Sequence, residues 1–271
     1  MEKTLELKGK KIFYRIEGEG RPVFLVHGFG EDGSIWQNQF QQIKGFQFII
    51  PDLPGSGGSE MVNDMSMEGM AGILNELAES ELGLTEKFDM IGHSMGGYVT
   101  LAYAEKFPTR LSGLGLFHSS AFADSDEKIA TRKKGIDFIQ THSPREFLKT
   151  MIPTLYGPVT KEENPGIIEE HLKSAHNFSG AALVSYYVSM IERPDRTHIL
   201  KTTKLPVLMI MGRYDQAVPL NDGLKQSHMA ELSYIQVLEK SGHMGMVEEI
   251  DRSNEFIINY LKRKEKTAQP E

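Results

Sequence analysis

Three residues of this chain carry the groups that acyl transfer needs. Ser94 sits at the centre of Gly92-His93-Ser94-Met95-Gly96, a G-x-S-x-G pentapeptide. A serine hydroxyl is a weak nucleophile at neutral pH. It needs a base within reach, and the base needs a group to orient it. His243, in Lys240-Ser241-Gly242-His243-Met244, offers the base, and Asp215, in Gly212-Arg213-Tyr214-Asp215-Gln216-Ala217-Val218-Pro219, offers the orienter. Their order along the chain, Ser then Asp then His, is the order in which a strand-to-helix elbow is followed by its partners at later strand ends.

The pentapeptide alone is weak, since a chain of this composition and length yields it by chance about once in six. Its setting gives it meaning. Phe88-Asp89-Met90-Ile91 reads as a buried strand, and Met95 to Phe107, stopped by Pro108, reads as a helix. A tight turn between them lifts Ser94 out at the C-terminal edge of a sheet, and glycine at 92 and 96 allows the backbone to close there. The Met95 amide, at a helix N-terminus, then faces the reaction centre. Acyl transfer also needs donors for an oxyanion. His27-Gly28-Phe29-Gly30 follows the apolar run Val23 to Val26, and its Phe29 amide is the second expected donor. His27 itself is expected to stabilise the loop. Gly28, His93, Val218 and Met244 beside the motifs, with Met151 and Tyr156 from mid-chain, are expected to line the substrate pocket.

A competing motif lies in the same loop. Gly28-Phe29-Gly30-Glu31-Asp32-Gly33 fits G-x-G-x-x-G after a strand, with Asp52 some twenty residues on. Glu31 and Asp32 would sit where a pyrophosphate binds, so the electrostatics oppose a dinucleotide. No cofactor is expected. No metal is expected either: the chain has no cysteine, and His171 and His176 miss the i, i+4 spacing of a helical metal pair.

The elements that must hold these residues alternate. Leu5-Glu6-Leu7 and Ile12 to Ile16 read as an antiparallel pair turning near Gly9-Lys10. Val23 to Val26, Phe48 to Ile50, Phe88 to Ile91, Leu114 to Phe117, Val207 to Met211 and Ser233 to Leu238 read as further strands. Helices are expected over 34–43, 66–82 with Ser66 as N-cap, 95–107, 221–232 and 246–262. Strands alternating with helices predict a mostly parallel sheet covered on both faces. From 121 to 200 the alternation stops. Helical pieces near 125–141, 144–154, 161–176 and 180–193, punctuated by Pro144, Pro165 and Pro194, predict a helical lid, since a structureless loop of that length is uncommon. The expected division is a core of 1–120 and 201–271 and a cap of 121–200. The tail from Arg263 to Glu271 is expected to fray.

Composition narrows the partners. Among 271 residues the formal net charge is −7, and basic runs such as Arg132-Lys133-Lys134 go no further than three residues. That pattern predicts no nucleic-acid partner. No apolar run approaches the roughly 20 residues that span a bilayer, and the first residues lack a secretory pattern, so no membrane partner and a cytoplasmic location are expected. Oligomeric state is not legible.

These blocks resemble the α/β-hydrolase superfamily in its lid-bearing branch of esterases, C–C hydrolases and haloperoxidase-like proteins. The resemblance rests on HGFG at 27–30, DLPGSGGS at 52–59, GHSMGG at 92–97, GRYDQAVP at 212–219 and SGHMGMVE at 241–248. It implies an eight-stranded, mostly parallel sheet with the lid between strands six and seven. Serine at 94 separates the chain from similar dehalogenases and epoxide hydrolases, which use aspartate there. The expected activity is hydrolysis of a small carboxylic ester or related carbonyl substrate. A C–C hydrolase, lactonase or acyltransferase on the same residues is the alternative, and Arg132, Arg145 and Arg193 are the lid arginines that would grip a substrate carboxylate. A hydrolase-like ligand receptor is a third reading.

Overall fold

The computed structural model describes residues 1–263; residues 264–271, where the frayed tail is expected, lie outside them. Eight strands form one sheet: β1 (Glu2–Leu7), β2 (Lys10–Glu17), β3 (Arg21–Val26), β4 (Phe46–Pro51), β5 (Phe88–His93), β6 (Leu111–Phe117), β7 (Val207–Gly212) and β8 (Ser233–Leu238). Their order is β1-β2-β4-β3-β5-β6-β7-β8. β2 is antiparallel to β1 and β4, and all other neighbours are parallel. β5 and β7 are buried at every position. Both faces are therefore covered, which is what continuous apolar parallel strands require.

Between the strands lie α1 (Gln37–Gln42), α2 (Met67–Leu82) and α3 (Met95–Lys106). Six helices, α4 (Asp126–Thr141), α5 (Pro144–Met151), α6 (Pro158–Glu163), α7 (Gly166–Ser174), α8 (Gly180–Glu192) and α9 (Thr197–Thr202), fill the stretch from β6 to β7. α10 (Leu220–Ser227), α11 (Gly245–Glu248) and α12 (Ile250–Leu261) follow. The helices around the sheet pack in two groups, α2 with α3, and α1 with α11 and α12. No helix among the described residues is long and apolar enough to cross a membrane.

Capping explains where the helices begin. The side chains of Ser66, Ser125, Ser143 and Ser179 each accept the amide three residues on, starting α2, α4, α5 and α8. Other ends differ from the sequence expectation for local reasons. The helix expected over 34–43 opens as a 3-10 turn, Gly33–Trp36, capped by Asp32. The segment 161–176 is broken by Pro165, whose ring forces Asn164 out of the helical region, giving α6 and α7. The segment 246–262 divides at Glu249, where φ is −131°. The 221–232 helix ends at Ser227. α9 was not foreseen, because six residues show no helical period.

The segment between β6 and β7 is fastened to the strand exits. α4 packs on α5 and α8. The Tyr186 hydroxyl donates to Pro54 O (2.6 Å), and Ser189 Oγ to Met65 O (2.6 Å). Gly157 N and Thr160 Oγ1 donate to Glu248 Oε2 at 2.7 and 2.8 Å.

The turn from β5 into α3 fixes the site. Ser94 has φ of 51°, a left-handed backbone unusual for a non-glycine residue. The turn closes because Gly96 lies directly on the exit of β3. A Cβ there would meet His27 O at 2.5 Å and strike Val26 O, both rigid backbone atoms. Gly96→Ala is therefore expected to lower unfolding free energy by about 3 kcal/mol, at the upper end of overpacking effects. Urea denaturation checks this, and an unchanged midpoint would contradict the packing described.

Candidate active site

The exits of β3, β5, β6, β7 and β8 meet at one rim of the sheet. Ser94, at the β5 exit, is partly exposed, while its immediate neighbours are buried. Its amide donates to Phe117 O at 2.9 Å, and its carbonyl accepts from Ser119 Oγ at 2.7 Å. The residue is thus held by the neighbouring strand exit on both sides of its side chain.

His243, from the β8 exit, and Asp215, from the β7 exit, are both buried. His243 Nδ1 lies 2.7 Å from Asp215 Oδ2. A carboxylate can only accept, so Nδ1 carries the proton and Nε2 keeps its lone pair when the ring is neutral. Asp215 Oδ1 accepts the amides of Ala217 (2.9 Å) and Val218 (2.8 Å). Burial alone would raise the Asp215 carboxyl, but the His243 ring and the donors around it hold it well below the usual carboxylate range. Burial would lower His243, and the Asp215 charge overcomes this and raises it above its ordinary 6.5.

A second buried pair lies under Ser94, and no motif announced it. His93 Nδ1 is 2.9 Å from Glu31 Oε2, and His93 Nε2 is 2.9 Å from His243 O. Both ring nitrogens face oxygens, a Glu31 carboxylate oxygen on one side and the His243 carbonyl on the other. Glu31 Oε2 also accepts from Gly28 N at 2.7 Å. One carboxylate therefore ties the β3 exit to the elbow and, through the imidazole, to the backbone of His243. It also occupies the Gly28 amide. Burial works to raise the Glu31 carboxyl, and the His93 ring overrides it, holding the group at about 2. His27, as expected, is a loop residue: its Nε2 accepts from Leu53 N at 2.8 Å.

Ser94 and His243 open onto one cavity of about 590 Å³. Phe29, Met151 and Val218 line it, as do Tyr98, Tyr187 and Arg132. Phe29 stacks on Tyr187 with ring centres 4.4 Å apart. Of the residues expected there, Gly28, His93, Tyr156 and Met244 are buried elsewhere and are not among the lining residues. Proximity in sequence misled here. His93 is the last residue of a strand and points into the core, Gly28 abuts Ser94 Cβ, and the Tyr156 hydroxyl pairs with His171 Nδ1 at 3.0 Å. Of the three lid arginines, Arg132 reaches the cavity. Arg145 lines a separate groove, and Arg193 lies over the Tyr98 ring and bonds Asp124 at 2.9 Å.

Among the described residues, His118, Asp215 and His243 form the group with ligand atoms close enough for a metal, all within 4.8 Å. Their facing atoms contact one another instead, so Asp215 serves the histidines. The side chain of His176 lies outside the described set, and His171 is engaged by Tyr156.

Comparison with known proteins gives the family of the fold. Residues 21–128 match the family model for the alpha/beta hydrolase fold. Lipase 1 of Psychrobacter immobilis is 29% identical over 93% of this chain and 81% of its own length. A 2-hydroxy-6-oxo-6-phenylhexa-2,4-dienoate hydrolase of Comamonas testosteroni is also 29% identical, over 93% of this chain and 92% of its own. Among solved structures, a thermophilic esterase from Thermogutta terrifontis, with malate bound, is 30% identical and superposes with a TM-score of 0.89 over 97% of this chain and 98% of that one. The chain belongs to the α/β-hydrolase superfamily.

The buried pair has a measurable consequence. Glu31→Gln removes the buried carboxylate charge that contacts both the His93 ring and the Gly28 amide, which costs about 3 kcal/mol for a broken buried pair. The Glu31 carboxyl is depressed in the fold, so its contribution is present above its ordinary 4.5 and is lost as pH falls through about 2. Urea midpoints of wild type and variant are expected to differ most near neutrality and to converge below pH 4.5. A gap that widens on acidification would show that the carboxylate is not what His93 relies on.

Proposed function

We propose that this chain is a serine hydrolase that cleaves small carboxylic esters through an acyl-enzyme, with Ser94 as nucleophile, His243 as base and Asp215 as orienter. The observation that carries the reading is the 2.7 Å His243–Asp215 contact beside a cavity that His243 shares with Ser94. Esterases and a lipase among the relatives support it. Asp215 fixes the proton on His243 Nδ1, so Nε2 is free to take the Ser94 proton as the hydroxyl attacks the ester carbonyl. The amides of Phe29 and Met95 receive the oxyanion, the second from a helix N-terminus whose first amides have no intrahelical partner. His243 then protonates the leaving alcohol, and water, activated by the same ring, releases the acid. The stretch 121–200 acts as the cap, supplying Met151, Leu155 and Tyr187 to the cavity wall.

A second reading draws on Arg132. Its guanidinium lines the cavity while Nε bonds Asp124 at 2.5 Å, and Asp124 is shared with Arg193. Two guanidiniums on one carboxylate leave one positive charge uncompensated, a fit for a substrate carboxylate such as the dienoate in the name of the Comamonas relative.

Ser94→Ala is expected to abolish labelling by a fluorophosphonate and to reduce p-nitrophenyl acetate turnover by at least about 10³-fold. Full turnover in that variant overturns the reading. The acid limb of kcat/KM reports His243 in the free enzyme. Because the base must be neutral and its affinity for protons is raised, activity is expected to fall as pH drops through a value above 6.5. An acid limb centred below 6.5 would contradict the Asp215 pairing. Arg132→Met is expected to raise KM about 10-fold for esters bearing a carboxylate and to leave neutral esters unchanged. Equal effects on both would remove the C–C hydrolase reading.

A further inference from the structure

We infer that His118 is a positioning residue of this site, a neutral imidazole protonated at Nδ1 that steadies the Asp215 carboxylate beside His243. The inference rests on the reading of Ser94, His243 and Asp215 as the reacting set, and four observations carry it.

The first is strain. Among the described residues, three that are not glycine have positive φ: Lys8, Ser94 and His118. Lys8 lies in the exposed turn between β1 and β2, where such a backbone is ordinary. His118, at φ 48°, is buried at the β6 exit, next to the β5 exit that carries Ser94. A left-handed backbone at a buried bulky residue persists only where the surroundings enforce it.

The second is the slot that holds the ring. A Cβ on Gly212 would meet His118 Cε1 at 2.9 Å, and a Cβ on Gly245 would meet His118 Nε2 at 2.5 Å. Glycine at 212, the end of β7, and at 245, the start of α11, leaves room for this ring, as it does for Gly242 O and for the Leu238 side chain that lie still closer.

The third is the proton. Gly245 N donates to His118 Nε2 at 3.2 Å. An N–H can only be received by a lone pair, so Nε2 is bare and the ring proton sits on Nδ1. Nδ1 is buried without a partner of regular hydrogen-bond geometry, and Asp215 Oδ2 lies 3.2 Å from it. Two imidazole N–H groups thus converge on Oδ2, with the backbone amides of Ala217 and Val218 on Oδ1. The carboxylate is held at both oxygens and cannot turn away when His243 changes charge.

The fourth is the division of charge. Two imidazoles at one carboxylate compete for a proton, and only His243 reaches the cavity. Burial pushes His118 down to about 4 against the pull of Asp215, while His243 is raised. His118 therefore donates a hydrogen without taking the charge that belongs to the base.

A side chain that merely fills space would be replaceable by leucine. The test compares His118→Leu with His118→Asn, because the asparagine Nδ2 takes the place of imidazole Nδ1 and asparagine accepts positive φ readily. Active sites are counted with a fluorophosphonate, so that loss of folded protein is separated from loss of rate. His118→Leu is expected to lower kcat about 10- to 100-fold, the effect of one hydrogen bond to a charged group, with KM within about twofold. His118→Asn is expected to recover kcat to within about threefold of wild type. Asparagine as slow as leucine, or leucine as fast as wild type, overturns the inference. Should the leucine variant not fold, long-range ¹H–¹⁵N correlation on the wild type at pH 7 decides the matter. A neutral His118 ring with the proton on Nδ1 is expected, and the opposite tautomer or a charged ring overturns it. Wild-type protein that hydrolyses no ester would sink the hydrolase reading instead, and the tautomer would still show whether His118 donates to Asp215.

Discussion

The rim of the sheet is held together by carboxylates. Strand exits in a parallel sheet leave backbone amides that no neighbouring strand can receive, and burying them unpaired is costly. In this chain acidic side chains collect them. Asp52 takes the amides of Gly33 and Gly58, each at 2.9 Å. Glu31 takes Gly28, Asp215 takes Ala217 and Val218, and Glu248 takes Gly157, Gly242 and Met244. Each joins segments distant in sequence or fixes the turn beside a side chain that faces the rim. Desolvating an anion is unfavourable, and charge-assisted N–H bonds work against that; with an imidazole beside them Glu31 and Asp215 end up lowered, whereas at Asp52 and Glu248 burial still raises the carboxyl.

That arrangement explains what was legible in the sequence. Ser94, Asp215 and His243 stand in recognisable surroundings because the backbone beside each makes a turn that few residues permit, so glycine and proline mark the spot. The alternation of apolar strands and amphipathic helices likewise follows from burial on both faces of the sheet. Glu31, His118 and Glu248 have no such marks. A lone glutamate directly after a glycine looks like any surface charge, and only the folded chain shows His93 beneath it. Glu31 was informative in one respect: its charge speaks against a bound pyrophosphate. The same charge, turned inward, is what holds the elbow.

The helical segment was legible in kind and less so in detail. The helical pieces read near 125, 144 and 180 start within a residue of α4, α5 and α8, where the structure places serine caps, whereas Pro165 divided a segment that periodicity alone reads as continuous. The cavity wall was the least legible part. It draws on Phe29 from the core and Arg132, Met151 and Tyr187 from the helices, and such a surface depends on how two layers meet. Met151 was anticipated, whereas Tyr156, a few residues on, turns inward to His171.

The layers are not independent. His243 N donates to Leu155 O at 2.6 Å, and Leu155 is itself part of the cavity wall. Glu248 accepts Gly157 N from one side and Gly242 N from the other, so the segment that shapes the pocket is bonded to the loop that carries His243. The backbone of His243 is thereby fixed at both polar groups: its amide by the helical segment, its carbonyl by His93. A displacement of Leu155 changes the shape offered to a substrate and the position of the imidazole together. The shape of the pocket and the placement of the His243 imidazole are therefore coupled in this chain, through the Leu155 hydrogen bond and the Glu248 bridge.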